Sequence, residues 1–477
     1  MSEFIAVIGL EVHVQLSTQS KMFTTSSTET GLPPNSLTDV GTLGLPGSLP
    51  VLNKVAVDYA IKLGLATNCQ IREKSIFSRK HYFYPDLPQG YQVTQGDTPT
   101  CYQGWLDITC GKQTKRIGIT RIHIEEDAGK SIHPEGERYS LLDLNRAGAS
   151  LLEVVSEPDI RSPEEAGAYL RTLHQLVKFI NVCNGNMEEG HFRCDANVSV
   201  MRSTDKEFGV RVEVKNLNSF RHVEKAIAYE IVRHREAIEE GKTLVQETRL
   251  WNEEEGVTKP MRSKEYAADY RYFPDPDLPP LVIDKAWIAE VKKTMPELPH
   301  EVKERFISEY KLDAYNAELL TADRFIADYF DKAVTAHYNP VDISNWIITK
   351  LFGRFNKDGG SILDCPISPQ NMAFLVKLID DGVISGKIAQ TVFDEMFESG
   401  KDPQSIVNDR GLQQISDEAE IQKVIDRILG ENPGQLEEYK KGKVKMFGYF
   451  IGQAMKVSDG KVNPGVLNQL LKKTLDS

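Results

Sequence analysis

The sequence lacks the marks of several common protein classes. Its six cysteines, Cys69, Cys101, Cys110, Cys183, Cys194 and Cys365, include no Cys-x-x-Cys pair. That spacing gives no zinc pattern, and the expected cytosolic setting argues against disulfides, so the cysteines read as small buried side chains. No apolar run approaches the roughly 20 residues needed to span a bilayer. The first residues show no basic segment leading into an apolar one, so neither a membrane role nor a secretory signal is expected, and a cytoplasmic setting is. An excess of positive charge is also missing. The net charge of −12 argues against general attraction to nucleic acid and leaves room only for a local basic patch. Nucleotide fingerprints are absent as well: no Gly-x-Gly-x-x-Gly follows a strand, and Ala128-Gly129-Lys130-Ser131 has Ile124 where a phosphate loop needs glycine. A nucleotide would have to be held some other way.

What the chain does contain is ordinary for a folded protein of several domains, with 477 residues, 40% apolar and 26% charged. One stretch stands out, residues 121–131. Alternation along a strand sends Ile122 and Ile124 to one face and Arg121, His123 and Glu125 to the other. Glu125, Glu126 and Asp127 are consecutive carboxylates, which repel one another unless a cation sits among them. The pattern fits a metal or phosphate site; it also fits a solvated strand end turning at Asp127 to Gly129. Ile117 and Ile119 have odd parity and Ile122 and Ile124 even parity, which predicts a bulge near Thr120. This leaves open which of Glu125 and Glu126 faces the site.

Other segments repeat the motif of one wet face. Residues 5–16 alternate, with Glu11, His13 and Gln15 opposite Leu10, Val12 and Val14. Residues 191–200 place Arg193, Asp195 and Asn197 outward, and residues 210–216 do the same with Arg211, Glu213 and Lys215. Residues 141–155 read as a hairpin turning at 146–149, with Glu153 on its polar face. Strands wet on one face indicate an antiparallel sheet, and if these faces belong to one sheet they line a common charged cradle. Residues 77–86 mix Arg79, Lys80 and His81 with aromatics, suited to holding a phosphate and stacking a base. Residues 30–53 are punctuated by glycine and proline and form a loop. Helices are expected over 55–65 and after the Ser162-Pro163-Glu164-Glu165 start signal. Beyond the proline-rich stretch 270–280 the periodicity becomes helical: 299–310, 314–336, 343–355, a helix after Ser368-Pro369 and another starting at Ser416. Near the end, Lys440, Lys441, Lys443, Lys445, Lys456 and Lys461 face only Asp459, a local basic patch suited to phosphodiester backbone.

Several of these stretches carry a family resemblance. Val-Ile-Gly-Leu-Glu-Val-His-Val at 7–14, Arg-Lys-His-Tyr-Phe-Tyr-Pro-Asp at 79–86 and His-Ile-Glu-Glu-Asp-Ala-Gly-Lys at 123–130 resemble the GatB family, the B subunits of the tRNA-dependent amidotransferases (GatCAB). So do Lys-Asn-Leu-Asn-Ser at 215–219, Asp-Tyr-Arg-Tyr-Phe-Pro at 269–274 and the C-terminal basic segment. The resemblance implies an α+β fold in three parts: an antiparallel-sheet cradle over 1–292, an all-helical domain over 293–405 and a small helical tRNA-binding tail over 406–477. It implies two partner chains, the A (glutaminase) and C components of the amidotransferase, and ATP-dependent conversion of Glu-tRNA(Gln) or Asp-tRNA(Asn) to the amide. By the same resemblance Glu11, His13, Glu126 and Glu153 would hold Mg²⁺, with Glu125 and Asp195 as further acidic members. Lys80 would steady developing phosphate charge, and Lys440, Lys441, Lys443, Lys445 and Lys456 would meet tRNA. Strand parity favours Glu125 and the family favours Glu126, and both are kept. Some members carry paired cysteines for zinc before a Leu-Gly-Leu-Pro-Gly run. Here Asp39 to Thr42 precede Leu43 to Gly47 with no cysteine, so zinc is expected to be absent and other contacts must hold the loop. The rival readings are a carboxylate-rich, metal-dependent phosphohydrolase and a non-catalytic tRNA-docking scaffold.

Overall fold

Period-two alternation in the first 300 residues builds one large sheet. The computed structural model describes residues 4–134, 136–261, 270–415, 417–458 and 460–476. Its strands are β1 (Phe4–Gln15), β2 (Gln70–Ile71), β3 (Lys74–Ser75), β4 (Ser78–His81), β5 (Tyr91–Thr94), β6 (Cys101–Cys110), β7 (Gln113–Glu126) and β8 (Lys130–Ile132). They continue with β9 (Leu141–Asp143), β10 (Ser150–Ser156), β11 (Phe192–Arg202), β12 (Val212–Leu217), β13 (Glu247–Asn252), β14 (Val257–Pro260), β15 (Phe273–Pro274) and β16 (Leu281–Val282). Nine of them form a single sheet in the order β14-β13-β12-β11-β1-β10-β7-β6-β2. All its pairs are antiparallel except β12 with β13, which are joined through a helix, as a parallel crossover requires.

Helices cover one face of this sheet. They are α1 (Lys54–Ala66), α2 (Pro163–Phe179) and α3 (Phe220–Glu239). Asn53, Ser162 and Ser219 cap their N-termini by accepting from backbone N–H groups. Leu10, Val12, Val14, Ile122, Ile124, Leu152, Val154 and Val198 fill the space between sheet and helices with Ile61, Tyr169, Leu173 and Ile227, all nearly or fully buried. Each such side chain contributes roughly 1.5–3 kcal/mol by leaving water, and their burial fixes the opposite, polar face of every strand. The expected bulge is present: Val155 pairs with Arg121 but Ser156 with Ile119, which leaves Thr120 as the extra residue. Ile117 and Ile119 on one side of it and Ile122 and Ile124 on the other are therefore all buried.

The hairpin expected over 141–155 does not form. β9 pairs with β8, while β10 lies between β1 and β7 in the main sheet. The alternation of 150–156 is that of a central strand, whose partners are set by the whole sheet and not by local patterning. The loop over 30–53 is held by polar contacts to the chain around 142–145. Asn35 N donates to Asp143 Oδ1 at 3.1 Å, Leu37 N to Asn145 Oδ1 at 2.9 Å, and Lys21 Nζ to Leu37 O at 2.7 Å.

The chain divides into two compact units, Met1–Pro299 and His300–Ser477. The second is helical, so the protein is of mixed α+β class, an antiparallel-rich sheet followed by a helical region. The helix expected over 314–336 is two helices, Ala314–Leu320 and Arg324–Ala336, because Asp323 caps a new start. That expected over 343–355 is Pro340–Trp346, a π turn and Phe352–Asp358. Helices Glu418–Glu431, Lys445–Val457 and Pro464–Asp476 share a core of Ile421, Ile425, Phe450, Leu467 and Leu471. The start read at Ser416 and the acid at Asp459 lie outside the described residues, as does Asp269; the cap observed is Asp417, which accepts from Glu420 N. No helix among the described residues is long and apolar enough to cross a membrane.

Candidate functional site

Register places the polar side chains of neighbouring strands side by side. His13 on β1 stands opposite Arg193 on β11 and Glu153 on β10, and Glu153 stands opposite His123 on β7. To one side of that row Glu11 stands opposite Asp195; to the other, Glu125 follows His123 on β7, in line with Gln15. Residues directly opposite in an antiparallel pair share a face, so these groups converge. His13 Nε2 lies 3.5 Å from Glu153 Oε2, 3.7 Å from Glu11 Oε1 and 3.8 Å from Glu125 Oε1. His123 Nε2 lies 3.4 Å from Glu125 Oε2 and 3.5 Å from Glu153 Oε2. Ligand atoms of Glu11, His13 and Asp195, and separately of His13, Glu125 and Glu153, all fall within 4.8 Å of one another.

The electrostatics are those of crowded carboxylates. Burial and the neighbouring Glu153 push the Glu11 carboxyl above its usual range, against the pull of His13. Burial works against the imidazolium of His123, but Glu153 and Glu125 outweigh it and raise that group to about 9. For Glu153 burial is outweighed by His123 and His13, which hold its carboxyl far below the usual range. Asp195 has its own partner: Lys215 Nζ lies 2.6 Å from Asp195 Oδ2 and 3.1 Å from Glu213 Oε1. A set of hard oxygen donors with one or two imidazoles, over-rich in negative charge, fits a small divalent cation of the Mg²⁺ type.

Glu126 is not part of this cluster. It has the parity of Ile122 and Ile124, and its Oε1 accepts from Val93 N at 2.9 Å and Gln89 Nε2 at 2.7 Å. Burial raises its carboxyl to about 7. Glu125 instead accepts from the Thr94 hydroxyl at 3.1 Å. The turn after these two residues is clamped: Arg193 Nη2 lies 2.8 Å from Asp127 Oδ2, and Arg146 donates to the carbonyls of Ala128 and Gly129 at 3.0 Å. Lys80, on β4, lies with its ammonium 5.0 Å from the Tyr270 ring. Burial opposes its charge, but Glu125, Tyr272 and Glu153 outweigh burial and raise the group above its ordinary range. Its partners therefore mark it as a neighbour of the cluster. A cavity of about 800 Å³ adjoins the site, lined by Gln15, Arg146, His191, Arg193, Asp195 and Asn216 among others.

The lysines Lys440, Lys441, Lys443, Lys445 and Lys456 are all exposed in the second unit. Lys441 pairs with Glu437 at 3.6 Å and Lys443 with Glu438 at 2.9 Å. Residues not assigned a role from sequence are His123, Arg193, Asp127 and Lys215. His123, Arg193 and Lys215 share the outward parity of Glu125, Asp195 and Glu213, and that parity was the signal available.

The chain matches two family models: the GatB/GatE catalytic domain over residues 6–289 and the GatB domain over 328–475. It is similar to bacterial proteins named as the B subunit of aspartyl/glutamyl-tRNA(Asn/Gln) amidotransferase. Identity is 55% over 476 residues with that of Geotalea daltonii and 53% over 474 residues with that of Syntrophotalea carbinolica, in each case covering 99% of both chains. With that of Carboxydothermus hydrogenoformans it is 51% over 478 residues, covering 100% of this chain and 99% of the relative. A catalytic-domain match spanning the whole carboxylate-bearing sheet, with full-length relatives above half identity, establishes that the chain belongs to the GatB family of amidotransferase B subunits.

Proposed function

We propose that this chain is the B subunit of a glutamine-dependent tRNA amidotransferase, a heterotrimer with the A and C components in the cytoplasm. The reaction is conversion of Glu-tRNA(Gln) or Asp-tRNA(Asn) to Gln-tRNA(Gln) or Asn-tRNA(Asn). The side-chain carboxylate of the attached amino acid takes the γ-phosphoryl group of ATP, with ADP leaving. Ammonia released from glutamine by the glutaminase component then displaces the phosphate to form the amide. The single observation that carries the reading is the convergence of Glu11, His13, Glu125 and Glu153 on one sheet face.

Those residues would hold Mg²⁺, with Asp195 beside them. The ion supplies neutralisation of charge on ATP and on the carboxylate. Glu125 takes the place that the family resemblance gave to Glu126, because Glu125 shares the face of His13 while Glu126 is satisfied by Val93 and Gln89. Lys80, drawn to the field of Glu125 and Glu153, offsets negative charge as the phosphoryl group moves. Arg146 and Arg193 line the adjoining cavity and suit it to the aminoacyl end of the tRNA. The chain works as three parts, a cradle over 1–292, a helical domain over 293–405 and a tail over 406–477 whose lysines meet the tRNA backbone. The full-length likeness to amidotransferase B subunits favours this reading over a phosphohydrolase or a docking scaffold. The test is the assembled complex given each misacylated tRNA with glutamine and ATP. Amide formation that requires ATP supports the proposal; hydrolysis of ATP or RNA without amide formation would overturn it.

A further inference from the structure

The polar face of β1 does not end at His13. Gln15 stands two residues further along it, about 7 Å at the rise of an extended strand. Its backbone N–H donates to the His191 carbonyl at 2.9 Å, which sets the two residues side by side. Both line the cavity of about 800 Å³ beside the carboxylate cluster. Gln15 is only 9% exposed, and its Oε1 is shut away from solvent with no hydrogen-bond partner among the described residues. Buried polar atoms are ordinarily satisfied. The last torsion of a glutamine is soft, so the amide can turn this oxygen to the cavity and give up no hydrogen bond to a described residue. His191 offers a second acceptor. Asn184 Oδ1 already accepts from the Asn186 N–H at 3.0 Å, so His191 Nδ1, 2.9 Å from the same oxygen, is the donor there. Nε2 of the ring is then a bare acceptor, with no hydrogen bond to another described residue. Burial outweighs Glu189 and Asp127 and holds the imidazole below its usual range, so the ring stays neutral. The arginines of the cavity do not serve these acceptors: Arg193 donates to Asp127, and Arg146 to the carbonyls of Ala128 and Gly129.

We infer that Gln15 and His191 receive the α-ammonium group of the amino acid esterified to the tRNA, and so aim its side-chain carboxylate at the cluster around His13. Two neighbouring acceptors without donors match a group that brings several N–H donors and accepts none. The spacing agrees. In an aspartyl or glutamyl group the α-nitrogen and the side-chain carboxyl carbon are three or four bonds apart, roughly 4–5 Å. An amino acid lying along β1 therefore spans the interval from Gln15 to His13, with a hydrogen bond or an ionic contact at each end. The pair reads the group that marks the substrate as an aminoacyl ester, apart from the carboxylate that reacts. This deepens the proposed amide-forming activity and rests on it.

The experiment uses the assembled amidotransferase with ammonium chloride as nitrogen donor and two esters. One is Glu-tRNA(Gln); the other is glutaryl-tRNA(Gln), in which hydrogen replaces the α-amino group. The unmodified enzyme should favour Glu-tRNA(Gln) in kcat/KM by about 10- to 100-fold. Gln15→Met and His191→Phe should each lose about 5- to 50-fold with Glu-tRNA(Gln) and less than about three-fold with glutaryl-tRNA(Gln), so the preference shrinks. Gln15→Glu, which keeps an acceptor, should retain it. Mn²⁺ affinity within about two-fold of the unmodified enzyme shows that the sheet of each variant is intact. Equal use of the two esters by the unmodified enzyme would overturn the inference, whatever the variants do. So would a preference unchanged in both Gln15→Met and His191→Phe. Equal losses with both esters at intact Mn²⁺ affinity would overturn it too, and would put the terminal nucleotide of the tRNA against these residues. Absence of ATP-dependent amide formation from Glu-tRNA(Gln) in the unmodified enzyme would strike the proposed function itself, so the two failures are separate.

Discussion

Exchanging Glu125 for glutamine sets the strand-face argument against its nearest alternative. Glu125 Oε1 lies 3.8 Å from His13 Nε2, and Oε2 lies 3.4 Å from His123 Nε2. The amide keeps the shape of the side chain and can still accept the Thr94 hydroxyl, but it removes one negative charge. At an effective dielectric of about 20, two unit charges roughly 4 Å apart attract by about 4 kcal/mol. The remaining carboxylates and water offset part of that loss. Half of it, about 2 kcal/mol, weakens cation binding about 30-fold. The assay is titration of the assembled complex with Mn²⁺ as a stand-in for Mg²⁺, read from the paramagnetic signal of the free ion, alongside ATP-dependent amide formation. Glu125→Gln should lose both affinity, by about that factor, and activity. Glu126→Gln should hold its Mn²⁺ affinity, because its carboxylate already serves Val93 and Gln89. Glu126→Ala should instead cost about 2–4 kcal/mol of stability by orphaning those two donors. Affinity kept in Glu125→Gln and lost in Glu126→Gln would refute the reasoning.

Lys80→Met should slow amide formation by about 100-fold or more without weakening Mn²⁺ binding, since the role proposed for the lysine is on phosphoryl charge rather than on the metal; single-turnover kinetics with saturating ATP measure it. Joint replacement of Lys440, Lys445 and Lys456 by glutamine should weaken tRNA binding and lower the slope of log affinity against log salt by about 0.7–0.9 for each phosphate no longer neutralised, and an unchanged slope would remove the tail from the tRNA interface. Away from the site, Glu230 is fully buried between α3 and β14, with Arg233, Arg249 and Thr258 around it. Burial disfavours its charge, but His234, Arg233 and Thr258 outweigh burial and hold the carboxyl at about 2 instead of 4.5. A depressed carboxyl stabilises the fold above the unfolded value and loses that contribution as pH falls through the folded one, here between about 4.5 and about 2. At 1.36 kcal/mol per pH unit this is about 3 kcal/mol. Glu230→Gln should therefore lower denaturant stability at pH 7 by about that amount and flatten the acid limb in that window.

How much was legible follows from which interactions are local. Alternation in β1, β11 and β12 is a property of each segment alone, and it correctly gave the outward set Glu11, His13, Arg193, Asp195, Glu213 and Lys215. The slip at Thr120 was legible for the same reason, though on its own it left Glu125 and Glu126 both open; the register across β10 then puts Glu125 on the face of His123 and Glu126 on that of Ile124. The strand order was not legible. Placing β1 between β10 and β11 depends on pairings roughly 140 to 200 residues apart, and no local pattern encodes such a choice. The false hairpin at 141–155 came from the same gap: a central strand and a hairpin arm share one alternation, and only the buried partner distinguishes them. The Asp127 clamp and the Lys215 pairing with Asp195 likewise appear only once separate strands are in register.

That distribution has a mechanical consequence for the site. Glu11, His13, Glu153 and Asp195 stand inside strands, and Glu125 at the end of one, whose other face is buried under α1, α2 or α3. The backbone that carries these acids cannot shift to relieve repulsion without pulling apolar neighbours such as Val12, Ile124 or Val154 out of the core, at roughly 1.5–3 kcal/mol each. The carboxylates are thus held together by hydrophobic burial on the far side of the sheet. Loops would let the same residues splay apart and find water. In the proposed reaction a cation held by these acids would offset the charge of a triphosphate and of a second carboxylate, which needs its ligands fixed beforehand, and the adjacent strands β11, β1, β10 and β7 are the part of this fold that can fix them.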